Sequence, residues 1–150
     1  IDSFKFKCCI GKKGLKSNKK EGDFSTPKGL FKLEKLYFRK DRVGSPKCKL
    51  KKKIIQKNMA WCDDPKHKKY NEEIKLFSKS IKEKLYRSDH NYDYIITINH
   101  NYQKAPNKGS AVFIHLTKDY KPTAGCIALK KKDFEILMKL IDQKTQIKVG

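Results

Sequence analysis

Two side chains in this sequence open a route to acyl chemistry: the imidazole of His115 and the thiol of Cys126. A thiol attacks carbonyl carbon as its thiolate, and an ordinary pKa of about 8.5 leaves little thiolate at neutral pH. A neighbouring imidazole can depress that pKa as the imidazolium, or take the thiol proton as the neutral ring. The spacing permits such a neighbour. Ala111–Leu116 is an apolar run of strand length with His115 near its end. Thr117–Pro122 is polar and closes on a proline, as a loop should. Cys126–Leu129 is a second short apolar run. Strand, loop, strand puts the two groups at facing ends of two apolar segments and predicts a thiol pKa lowered by His115. Thr123, Ala124 and Gly125 are small, so the backbone N–H groups of Gly125 and Cys126 can face a developing oxyanion. The competing reading is blander: a cysteine packed as a small hydrophobe and a strand histidine with a satisfied hydrogen bond.

The elements around this stretch are mostly strands. Phe4–Ile10 and Leu30–Phe38 alternate, the second without a clean apolar side, and a Gly- and Pro-containing loop over 20–29 separates them from a turn at 11–14. Lys53–Gln56 reads as a short strand. Ser80–Arg87 reads as a helix, with Ser80 and Glu83 forming a capping box. Tyr92–Ile98 is rich in Tyr, Ile and Thr and predicts a strand, followed by a loop over 99–108. Phe134, Leu137, Met138 and Ile141 recur at helical spacing within Lys131–Ile141, and Gln146–Val149 closes as a strand. The expectation is a mainly β chain with one or two helices, organised as one domain over residues 1–150, without repeats or low-complexity segments.

Charge restricts partners less than it suggests. The formal net charge is +21, from 37 Lys and Arg against 16 Asp and Glu, which draws the chain to polyanions of any kind. The lysines are scattered or in short runs such as Lys51–Lys53, without a zinc-finger or RNP-like motif, so a specific nucleic-acid partner is not expected. No apolar run approaches the length of a membrane span. The sequence opens at Ile1 without a signal-peptide pattern, the expectation being a trimmed or processed chain. The 5 cysteines fit a free nucleophile plus up to two disulfides in an oxidising compartment, and equally five reduced thiols. Arginine is scarce: Arg39, Arg42 and Arg87 alone are kept where lysine serves everywhere else. A forked, planar donor is then the expected requirement, either for bracing or for a substrate carboxylate. Arg39 and Arg42 flank Asp41 and suit either role, whereas Arg87, close before Asp89, suits local pairing. Trp61, the single tryptophan, precedes Asp63, Asp64 and Pro65, with Tyr70 and Asn71 beyond. That group could wall a site for a peptide bearing amines, or anchor a loop. Cys62 and His67 lack metal-ligand spacing.

His115, a variable loop and then Thr123-x-Gly125-Cys126 resembles the signature of the L,D-transpeptidase (YkuD-type) catalytic domain. Many members carry a histidine where this chain has Ala124, and Asn-Arg shortly after the cysteine, where it has Ala128-Leu129-Lys130. Both departures resemble a subgroup with a Pro-Thr-Ala-Gly-Cys core. The passage Lys20-Glu21-Gly22-Asp23 with Thr26-Pro27-x-Gly29 is similar to a second family patch near the substrate groove, and Trp61–Pro65 with Tyr70-Asn71 to a passage of that subgroup. The resemblance runs from Cys9 to Val149 and implies a YkuD-like β-sandwich with its catalytic loop at a sheet edge. It implies a cysteine acyltransferase that cross-links peptidoglycan stem peptides through an acyl-enzyme on Cys126, with His115 as base and Gly125 in the oxyanion hole. Substrate contacts are expected from Thr123, Ala124, Arg39, Arg42, Trp61, Asp63, Tyr70 and Asn71, and neither cofactor nor metal is expected. A periplasmic or cell-envelope address follows, with the signal sequence outside this chain. The alternatives are an L,D-carboxypeptidase or endopeptidase using the same pair of groups, and a non-catalytic basic module binding polyanions or the wall.

Overall fold

The computed structural model describes residues 3–76 and 83–150. In chain order its elements are β1 (Leu15–Lys16), β2 (Thr26–Pro27), β3 (Gly29–Phe38), α1 (Lys40–Val43), β4 (Lys51–Ile54), β5 (Met59–Trp61), β6 (Glu73–Lys75), β7 (Glu83–Lys84), β8 (Tyr94–Ile98), β9 (Phe113–Leu116), β10 (Ile127–Leu129), α2 (Lys131–Leu140) and β11 (Gln146–Val149). A central sheet runs β10-β9-β8-β3-β11, and β4 also pairs with β3. A three-stranded sheet, β6-β5-β7, packs over one face of it, and β1 and β2 form a small parallel pair. The chain is thus mainly β and has the layered character of a YkuD-like sandwich.

Side-chain alternation sorts the central sheet into two faces. Val112, Ile114 and Leu116 point into the larger core with Tyr94, Ile96, Ile98, Ile127 and Leu129. α2 closes that core with Phe134, Leu137 and Met138, as its helical spacing predicts. Phe134 stacks on Tyr94 with ring centroids 5.3 Å apart. Each such side chain contributes about 1.5–3 kcal/mol by leaving water. The opposite face carries Ile95, Ala111 and Phe113, packed against Ile55, Met59, Leu85 and Trp61 of the smaller layer. The untidy alternation of β3 also has a cause. Its pairing with β8 shifts register between Leu33 and Leu36, so both residues reach the same core although three positions apart.

Several expectations need correction. β9 and β10 are parallel, with Ile114 opposite Ile127 and His115 opposite Ala128. Residues 117–125 therefore cross back along the strands and do not form a simple hairpin. Phe4–Ile10 is not a strand: Cys9 makes one isolated antiparallel bridge to Ala128, because β10 offers it only a short edge. The first three residues of the proposed helix over 80–87 lie outside the described residues. Its second half is not helical, since Glu83 and Lys84 pair with Trp61 and Ala60 as β7. Of the two cysteine states the sequence left open, the structure has the reduced one: the 5 cysteines are all free thiols. No helix among the described residues is long and apolar enough to cross a membrane.

Candidate active site

Alternation and register together put His115 and Cys126 on one face. In β9, Phe113 and His115 point away from the main core, and in line with them Cys126 and Ala128 do so from the neighbouring strand. Cys126 extends the register to lie beside Phe113, whose N–H meets its Sγ at 3.4 Å. His115 is thus a diagonal neighbour of the thiol, and both line one cavity of about 880 Å³. A parallel pair with short strands achieves what facing hairpin ends were expected to do.

The tautomer of His115 follows from its partner. Nδ1 lies 2.9 Å from the carbonyl oxygen of Leu116, which can only accept, so Nδ1 carries the proton and Nε2 keeps its lone pair. Burial lowers the ring's pKa to about 4, Arg87 adding to the effect, so the imidazole is neutral at pH 7. The thiol goes the other way. Burial and then the Glu83 carboxylate push Cys126 up to about 12 against the N–H of Phe113, Lys19 and the Tyr92 hydroxyl. The depressed thiol pKa expected from His115 is therefore not found: an uncharged imidazole cannot stabilise a thiolate by charge, and desolvation dominates. Cys126 donates its proton to the carbonyl of Ala111 at 3.1 Å, and no hydrogen bond joins it to His115 among the described residues. The resting pair is a neutral thiol and a neutral base.

The loop before Cys126 is tightly held. Gly125 has φ 146°, and a Cβ there would sit 2.8 Å from the Ser25 carbonyl oxygen and 3.2 Å from Lys19 Nζ. Only glycine fits so close an approach. Buried Thr26 receives the N–H of Gly11 and donates to the Gly125 carbonyl, both at 2.8 Å. Thr123 accepts the Gly125 N–H at 3.1 Å and donates to the Cys126 carbonyl at 2.6 Å. Of the two N–H groups expected to meet an oxyanion, that of Gly125 is committed to Thr123 in this conformation.

The other expected site residues divide. Asp63, Thr123 and Ala124 line the cavity. Trp61, Tyr70 and Asn71 stand behind its wall. Asn71 Oδ1 accepts from Trp61 Nε1 at 2.9 Å and from the Ala111 N–H at 3.1 Å, while its Nδ2 donates to the carbonyls of His100 and Asn101. Ala111 has φ 52°, so Asn71 holds a strained residue whose carbonyl faces the thiol. The Tyr70 hydroxyl donates to Glu21 at 2.6 Å and receives the Gly109 N–H. Arg39 and Arg42 are not brought to the cavity. Arg39 is bidentate to Asp41, donates to the Arg87 carbonyl and lies over the Tyr86 ring. Arg42 grips Asp93 and the carbonyls of Ser88 and Asp89. Both brace the segment ahead of β8. Arg87 does line the cavity, pairing with Asp89 and lying 4.4 Å over the Tyr92 ring.

The family model of the YkuD L,D-transpeptidase catalytic domain matches residues 2–149. The chain belongs to the L,D-transpeptidase catalytic-domain family. No curated protein and no solved structure matches it. In this L,D-transpeptidase domain the cavity also presents residues that sequence reasoning missed. Tyr92 packs its ring edge against His115 at 5.1 Å and donates its hydroxyl proton to Glu83. Lys19, Glu21, Glu83 and Asn91 complete the polar lining. Tyr92 opens a strongly β-prone run, a signal of the strand and not of the site. Lys19 is hidden among many lysines, and only its spacing of four from Asp23 distinguishes it. Among the described residues no group of three or more His, Cys, Asp or Glu could hold a metal ion.

Proposed function

We propose that residues 1–150 form a single catalytic domain that cross-links peptidoglycan stem peptides through a thioester on Cys126. The observation that carries this is the placement of Cys126 Sγ and an Nε2-basic His115 on the same sheet face within one cavity. Family membership supplies the substrate class, since these domains act on peptidoglycan stem peptides. His115 Nε2 takes the thiol proton as Sγ attacks the donor carbonyl, whose negative charge is met by the Cys126 N–H. The C–N bond then breaks, and the leaving amine takes the proton from His115. An acceptor amine attacks the thioester and passes a proton to Nε2. The thioester C–S bond breaks, and the sulfur recovers that proton. The neutral resting pair suits this sequence: proton transfer accompanies attack, and no standing thiolate is needed. Work on the wall outside the cytoplasm is the matching location.

The experiment is incubation with purified muropeptides and mass spectrometry of the products, for the wild type and Cys126→Ala. New dimers that vanish in the variant are expected. Trimmed monomers would make water the acceptor and the domain a hydrolase. No change in either protein, or products that persist in Cys126→Ala, would overturn the mechanism.

A further inference from the structure

Two stabilisers of negative charge expected around Cys126, an imidazolium and the Gly125 N–H, are not on hand in this conformation. His115 is neutral and too deeply buried to serve as a standing cation. The Gly125 N–H is turned to Thr123. Negative charge must nevertheless appear at Cys126 and on the attacked carbonyl oxygen, in a cavity whose wall already includes the carboxyls of Glu21, Asp63 and Glu83.

One cation is built into the floor beside this loop. The Lys19 side chain is 4 % exposed, which is unusual for the residue type most often left in water. Two glycines make the room for it. A Cβ at Gly109 would lie 3.1 Å from Lys19 Cε, and a Cβ at Gly125 would lie 3.2 Å from Lys19 Nζ. Asp23 anchors the ammonium at 3.0 Å, and the Lys20 carbonyl takes a second contact at 3.4 Å. An ammonium has three donors, so one is left among the described residues. Asp23 is itself saturated. Burial would raise its pKa, but the donors of Lys20, Ser25 and Lys19 outweigh burial and hold its carboxyl well below the usual range. The anchor is therefore shared between four donors, and its charge is correspondingly dispersed.

We propose that Lys19 is the electrostatic partner of the Cys126 nucleophile, stabilising the negative charge that builds on the sulfur and on the attacked carbonyl oxygen during acyl transfer. The proposal rests on Cys126 being the nucleophile of the reading above. It accounts for a lysine buried between two glycines beside the reacting loop, a position that a surface ion pair would not need. The charges facing Cys126 are Lys19 and Glu83, with Tyr92 and His115 as the neutral titratable neighbours. Those facing Lys19 are Asp23 and, at longer range, His100 and Cys126. Lys19 and Glu83 thus act on the thiol with opposite sign.

The test is alkylation of Cys126, followed peptide by peptide, with anionic iodoacetate and neutral iodoacetamide over a pH series. It needs no turnover, so it reads Lys19 whether or not muropeptides give products. Lys19→Met is expected to lower the iodoacetate-to-iodoacetamide rate ratio about tenfold or more, the scale of one charge acting over a few ångströms in a protein interior. The rise of the rate should also move to higher pH. Lys19→Arg should keep the ratio near that of the wild type, because it keeps the charge. If Lys19→Met does not fold, Asp23→Asn answers instead: it removes the counter-charge and should raise the ratio. A ratio and pH profile unmoved in the folded Lys19→Met protein, or a ratio not raised in Asp23→Asn, would overturn the proposal and leave Lys19 a structural partner of Asp23.

Discussion

His115 decides the pH behaviour of the site. Its pKa is lowered from 6.5 to about 4 by burial, and the thiol beside it is raised to about 12. In the proposed mechanism the active form is the neutral pair, so kcat/KM should hold level through the neutral range. Its acid limb should fall near pH 4, well below that of an ordinary imidazole. An acid limb near the ordinary value of 6.5 would show that the folded ring is not shielded as described. Stability follows with a definite sign. Between the folded value of about 4 and the unfolded value of 6.5 the unfolded chain binds more protons. The contribution of neutral His115 is therefore complete above that window and is lost as pH falls through it. A urea series at acid pH on the wild type and His115→Gln should show the variant losing less stability over the same interval.

At the scale of elements, the segment from Arg87 to Asp93 is the part most dependent on its braces. It carries Arg87, Asn91 and Tyr92 into the cavity wall, and Arg39 and Arg42 hold it from behind. Arg42→Lys keeps the charge but cannot span the Asp93 carboxyl and the carbonyls of Ser88 and Asp89 at once. A loss of roughly 1–2 kcal/mol is expected, as for hydrogen bonds to a charged group in a partly exposed setting. The melting temperature should drop by several degrees while KM for a soluble muropeptide stays put. A raised KM with an unchanged melting curve would return Arg42 to the substrate. The same segment shows what was legible in the sequence and what was not. α2 announced itself by helical spacing, β8 by a β-prone run, β3 by an untidy alternation, and β9 and β10 by short apolar runs on either side of the motif loop. β5, β6 and β7 span two or three residues, too few for a period, so the layer over the cavity was missed. His115 and Cys126 were legible from residue type and motif. Arg39 and Arg42 were given a substrate role from the scarcity of arginine, with bracing at Asp41 as the alternative; bracing is what the structure has, and the carbonyls they also hold lie more than 40 positions away. Lys19 and Tyr92 acquire their roles through tertiary approach alone.

The whole molecule separates its charge from its chemistry. Lys and Arg outnumber Asp and Glu by 37 to 16, yet the cavity wall balances Lys19, Arg87, Lys118 and Lys121 against Glu21, Asp63, Glu83 and Asp119. The positive field thus belongs to the outer surface. Retention on duplex DNA or another soluble polyanion should be lost on going from about 50 to 200 mM salt, the range over which multi-phosphate contacts weaken by orders of magnitude. Turnover of a small muropeptide should change little over the same range, and a parallel collapse of both would mean that the surface field draws the substrate in. The placement of the nucleophile has one more consequence, which concerns time. The Thr26 hydroxyl and the Gly125 carbonyl that it holds are 99 residues apart. Ile10 and Lys12 are tied to Thr123, and Cys9 to Ala128. A ribosome makes the early partners first and must then extend the chain by about a hundred residues before the late ones emerge. Cys9, Ile10, Lys12 and Thr26 consequently have nothing to dock with until the segment around Cys126 is released and closes onto them. The pocket around Cys126 therefore closes only after the segment from Thr123 to Ala128 has been made, so a product terminated before it lacks both the thiol and the contacts that hold its loop.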